Sequence, residues 1–164
     1  MTTLRDLLLP GLTGCIGGHG SIHRQALPSP VVGAWRHACR LGIGRLRVKI
    51  TEEVPATTGQ NYHLVGALAP PPVGRVQVAL HVIHPFIGAW RFTTECGGQD
   101  GREYWDPPLN PAELPEGLVL IPAELLSRRF EPEAWMRDLI EDAWTDIRVH
   151  KPRTVGELVF NWYD

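Results

Sequence analysis

Apolar residues recur at helical spacing between Ser29 and Gly42, at Val31, Val32, Trp35, Ala38 and Cys39, with Arg36, His37 and Arg40 on the opposite side. Ser29 suits a cap, Pro30 suits the first helical position, and Gly42 is expected to end the helix. Residues 45–51 switch to strict alternation, with Leu46, Val48 and Ile50 on one side and Arg45, Arg47 and Lys49 on the other, the pattern of a half-buried strand. Three further strands are expected over residues 62–68, 75–84 and 89–95, separated by the prolines at 70–72 and the turn-forming stretch 85–88. Connections this short favour an antiparallel meander, one face packed and the other wet.

Helical spacing returns late in the chain. Helices are expected over residues 122–130 and 131–147, the second with an apolar stripe of Trp135, Met136, Leu139, Ile140, Ala143, Trp144 and Ile147. Thr154 and Glu157 have capping-box spacing, which suggests a last short helix over 158–163, with a strand as the competing reading. Residues 4–9 allow one short helical turn. The fold class that results is α+β: an N-terminal helix, a four-stranded antiparallel meander, a long Pro/Gly-rich loop at 97–118, then two or three C-terminal helices packed on one sheet face. A single domain over 1–164 is expected, opening with a Gly/Pro-rich segment at 1–28.

Composition narrows the class. The 164 residues include 17 glycines and 15 prolines, so loops take a large share, while 43% hydrophobic residues are enough for a core. Pro, Gly or charge interrupts every apolar run well before the roughly 18 residues that span a bilayer, so no membrane partner is expected. The first residues hold too short an apolar run for a signal sequence, although Leu12-Thr13-Gly14-Cys15 resembles a lipoprotein cleavage box. Three cysteines, an odd number unevenly spaced, fit a reducing cytoplasm.

The net charge of -2 conceals a split: residues 1–94 carry nine basic and three acidic side chains, residues 95–164 seven and fifteen. In the expected strands Arg45, Arg47, Lys49, Arg75 and Arg91 share a face with Gln77, His81 and Thr93, a surface that would attract phosphates. It lacks the exposed aromatics on which single-stranded nucleic acids stack.

Other chemistry is fragmentary. Cys96 precedes Gly97-Gly98, whose open backbone N–H groups suit an oxyanion, but a hairpin turning at 85–88 places it opposite Gln77 and roughly 13 Å from His81. Cys15, His19 and His23 have zinc-ligand chemistry at three-residue gaps, in a glycine-rich stretch with no local fourth ligand. His81 and His84 should point to opposite faces of a strand. No phosphate-binding glycine motif is present, and no cofactor is expected. Tyr104 and Trp105 in the long loop, with Glu141 and Asp142 on the outer side of a helix, are candidates for holding a protein partner.

The order of helix, four-strand meander, long loop and helices in about 160 residues resembles the ubiquitin-conjugating E2 fold, in which a cysteine lies in the loop after the meander. Cys96 occupies that place. The likeness covers element order only: the E2 His-Pro-Asn signature is missing, and His84-Pro85 lies one strand too early. It implies a cysteine-dependent conjugating enzyme. The residues themselves favour a small interaction or regulatory module that acts on another protein by surface complementarity, with no complete catalytic site. Binding of nucleic acid or another anion through the basic face is the remaining alternative.

Overall fold

Residues 3–9, 12, 25–57, 60–71, 73–92, 102–135 and 141–161 are described by a computed structural model. Strands β1 (Lys49–Val54), β2 (Tyr62–Leu68), β3 (Arg75–His81), β4 (Phe86–Phe92) and β5 (Arg102–Tyr104) follow one another as antiparallel neighbours. A sixth, β6 (Val119–Leu120), runs parallel to β4 on the edge it shares with β5. The helices are α1 (Leu4–Leu7), α2 (Ser29–Gly44), α3 (Ala123–Ser127), α4 (Glu141–His150) and α5 (Val155–Val159). The class is therefore α+β with a mostly antiparallel sheet.

Alternation along the strands divides the core in two. Tyr62, Leu64, Ala79 and Trp90 face α1, α3 and α5, where Leu7, Leu126, Leu158 and Phe160 cover them. Val65, Val76, Val78 and Ala89 face the other way, onto Val32, Trp35, Cys39 and Ile43 of α2. Helices thus cover both sides of the sheet, where the sequence reading expects them on one side and water on the other. The short apolar strands β3 and β4 are buried on both faces, as their near-continuous hydrophobic character requires.

Several expected elements shift. The helix α2 passes Gly42 and ends at Gly44, and Gly42 serves close packing: a Cβ there would lie 2.7 Å from the Leu109 side chain and 2.8 Å from the Pro108 carbonyl. Arg45 consequently caps a helix, Arg47 takes a left-handed backbone (φ 56) and the first strand starts at Lys49. The third hairpin turns at 82–85, so β4 begins at Phe86 and Gln77 lies opposite Trp90 rather than Cys96. The 97–118 stretch is not loop throughout, since it supplies β5. β6 follows at Val119–Leu120, and both strands are too short to show a period.

The first of the C-terminal helices is shorter than expected. Arg128 is extended (ψ 135) because Phe130 N–H donates to the Arg153 carbonyl and Val155 N–H to that of Arg128, a backbone pairing that ends α3. Of the expected 131–147 helix, Pro132–Trp135 form a 3-10 turn and Glu141–His150 form α4, which runs past 147, while 136–140 lie outside the described residues. The last helix starts earlier, at Val155, where the Thr154 hydroxyl accepts from the Glu157 N–H at 3.1 Å.

Candidate functional site

The register aligns Glu52, Gly66, Gln77, Trp90 and Tyr104 in one row across five strands, on the face covered by α5. Trp90 Nε1 donates to Gln77 Oε1 at 2.7 Å, and Gln77 Nε2 donates to Glu52 Oε1 at 2.7 Å. Arg75 Nη2 reaches both Glu52 oxygens at 2.7 Å. Because the indole can only donate, it fixes which end of the Gln77 amide points at the carboxylate. Gly66 makes the row possible, since any Cβ there would overlap the Glu52 side chain lying across it. Burial pulls the Glu52 carboxyl upward, but the Arg75 and Gln77 hydrogen bonds and the Arg75 charge outweigh it, leaving the group below the usual carboxylate range.

The neighbouring row is Leu68, Arg75, Phe92 and Arg102. The Arg102 guanidinium lies over Trp90, 4.8 Å from its ring centroid, and Nη1 donates to the Phe160 carbonyl at 3.3 Å. Trp90 is itself fixed by Tyr62, edge-on at 5.6 Å, and by Phe160 at 6.0 Å. Arg102 stands beside two phenols. Burial raises the Tyr62 hydroxyl above its ordinary value and pushes Tyr104 up to about 12; the charge of Arg102 and its hydrogen bonds to both phenols work against these shifts, as does the Thr154 hydrogen bond at Tyr104. Tyr104 OH also lies 3.2 Å from Thr154 Oγ1.

These rows floor a cleft of about 650 Å³ between the sheet and the chain from His150 to Asn161, within the size range of small-molecule sites. Val54, Leu64, Phe92 and Phe160 give it apolar walls, while Arg75, Arg102, Lys151 and Arg153 bring four cations against the carboxylates of Glu52 and Glu157. Glu52 is already committed to Arg75. Glu157 Oε2 accepts from the Arg153 backbone N–H at 2.6 Å as part of the α5 cap. Among the described residues neither Arg102 nor Lys151 has a carboxylate within ion-pair distance. Lys151 sits at the rim with a left-handed backbone (φ 47).

The basic residues singled out in the sequence are dispersed. Arg45 is ion-paired with Glu113 and Arg91 with Glu103, while Arg75 takes Glu52. Arg75 and Arg91 project from opposite faces of the sheet, Arg47 lies in the turn after α2, and the exposed Lys49 begins the half-buried edge strand β1. Of the five only Arg75 lines the cleft. Tyr104 is half-buried against Thr154, and Trp105 packs on the α2-side core. Cys15, His19, His23 and Cys96 lie outside the described residues, as do the side chains of Glu141 and Asp142 in α4. Among the described residues no three His, Cys, Asp or Glu side chains are grouped as metal ligands, and no helix is long and apolar enough to cross a membrane.

His81 and His84 are closer than strand alternation implies, with ring centroids 5.0 Å apart, because β3 ends at His81 and the chain turns. His81 is fully buried. Its Nδ1 accepts the Ile83 and His84 N–H groups at 3.1 and 3.0 Å, so Nε2 must carry the proton, which it gives to the Leu12 carbonyl at 2.8 Å. Burial holds the ring neutral, pushing its pKa down to about 3. Asn61 stands beside it and donates to the Leu12 and Val159 carbonyls, both at 3.0 Å. These groups secure chain segments and do not open into the cleft.

Sequence reasoning misses Glu52, Trp90, Arg102 and Lys151 as site residues. The available signal was Gln77, a polar side chain between Val76 and Val78, which read as solvated and is in fact buried. No family model, curated protein or solved structure matches the chain.

Proposed function

We propose that the chain is a small binding module that takes a small molecule in the cleft between the sheet and the 150–161 segment. The observation that carries this reading is the Glu52–Gln77–Trp90 hydrogen-bonded row, which fixes a polar floor under a cleft of about 650 Å³ with apolar walls. A binding role fits the state of its acids. Glu52 stays ionised under Arg75 and Gln77, so it is not poised to exchange protons near neutral pH, and Glu157 is engaged in a helix cap. A regulatory role through this cleft replaces the surface anchors Tyr104 and Trp105, whose rings are engaged within the fold.

The test is a fragment screen read by thermal shift, with Val54→Trp as a cleft-filling variant on the half-buried edge strand. Ligands present at about 100 times their Kd should add about 2.7 kcal/mol to wild-type stability and nothing to the variant. Hits indifferent to Val54→Trp, or no hits at all, would overturn the proposal.

A further inference from the structure

The geometry points to an oxyanion carried on an apolar body, a carboxylate or phosphate ester, as the ligand of this cleft, with Arg102 as its anchor and Lys151 as the second cation. The inference rests on the binding role proposed above and names its ligand class.

Arg102 has the features of a prepared anion site. Its planar head is stacked at 4.8 Å on Trp90 and tethered to the Phe160 carbonyl, so little side-chain freedom remains to be lost on binding. Nη1 donates to that carbonyl and the head also hydrogen-bonds the Tyr62 and Tyr104 hydroxyls, which leaves the remaining N–H groups of its five-donor fork for a carboxylate or phosphate edge. No carboxylate among the described residues neutralises it. The other arginine of the floor, Arg75, already holds Glu52, which leaves Arg102 as the floor cation without an acid.

Lys151 adds a second charge from the rim, on a backbone held in the left-handed region where lysine is uncommon. Its N–H donates to the Ile147 carbonyl at 2.8 Å, which fixes the end of α4 and places residue 151 over the cleft. The same cleft has Val54, Leu64 and Phe92 among its walls. A free inorganic anion would satisfy the charges and leave these walls wet, whereas an uncharged apolar molecule would bury the walls and leave the Arg102 charge desolvated without a counter-charge. Only a molecule with both parts meets both conditions.

The test compares naphthoate, naphthyl phosphate and naphthamide by calorimetry on wild type, Arg102→Met, Lys151→Glu and Val54→Trp. Naphthoate or naphthyl phosphate should bind at least about tenfold more tightly than naphthamide, and the stronger of the two identifies the source of the oxyanion. Arg102→Met should cut that preference to about threefold or less, the share left to Lys151. Because Arg102→Met also removes the stack on Trp90, Lys151→Glu at the exposed rim provides the second variant, and should weaken the anion by about threefold or more while leaving naphthamide unchanged. If naphthamide binds as well as the anions and Val54→Trp abolishes it, the ligand class is wrong and the cleft reading stands. If no probe binds in a Val54-dependent way, both fail.

Discussion

Asn61 and Asn161 hold each other across 100 residues of sequence: Asn161 N–H donates to Asn61 Oδ1 at 3.0 Å, and Asn61 N–H to the Asn161 carbonyl at 3.3 Å. Asn61 Nδ2 spends its two hydrogens on the Leu12 and Val159 carbonyls, so one buried amide fastens the N-terminal segment, the start of β2 and the C-terminal segment. Replacement by Leu keeps the volume and leaves the Val159 carbonyl and the Asn161 N–H without these partners. Asn61→Leu should therefore cost about 3 kcal/mol, measured by urea denaturation.

Acid should unfold the protein through His81. Its pKa is about 3 in the folded chain against an ordinary 6.5, so between those values the unfolded chain binds a proton that the folded chain refuses. The stability this group supplies is complete above about pH 6.5 and falls by about 1.4 kcal/mol per pH unit as pH drops toward 3. His63, also held below its ordinary value by burial and the nearby Arg36, steepens the upper part of the slope. Urea midpoints across this range should show the slope in wild type and a shallower one in His81→Gln. Equal slopes would remove His81 as the cause.

Gly66→Ala should act on Glu52 more than on the core. The new Cβ overlaps the end of a flexible side chain, so the fold gives way by moving the carboxylate, at a cost of about 1 kcal/mol. Once displaced from Arg75 and Gln77, Glu52 should titrate closer to the ordinary carboxylate range. NMR titration of the side-chain carboxyl carbon reads this directly, and an unchanged titration would mean that the hydrogen bonds survive.

Charge reversal at Arg91 should do little. Its two hydrogen bonds to Glu103, at 2.9 and 2.6 Å, lie at the surface, where solvent and salt screen the pair and little stability depends on it. With Arg45, Arg75 and Arg91 each facing an acid, nucleic acid should show no retention that depends on Arg91, and salt-dependent binding lost in Arg91→Glu would contradict this.

The central strands were legible because their residues carry the signal themselves: β2 occupies the expected 62–68, and Thr154 caps a helix as its spacing implies. The site was not legible. Arg102 belongs to a three-residue strand with no period, and it meets Trp90 only through the β4–β5 pairing. Gln77 looks solvated until the register brings Glu52 over Gly66 to meet it, a contact that spans three strands. The basic face failed for the same reason, since Glu52, Glu103 and Glu113 come from other elements to neutralise it. Helix ends were misjudged where tertiary contacts decide them, as at Gly42 under Leu109 and at Arg128 paired with Val155.

The most direct measurement is a titration of the protein with naphthoate, followed through the NMR signal of the Trp90 indole N–H, which lies under Arg102 and bonded to Gln77. The account predicts a saturable shift of that signal in wild type, lost in Val54→Trp and weakened in Lys151→Glu. A Trp90 signal that stays in place while naphthoate binds elsewhere, or fails to bind, would contradict it.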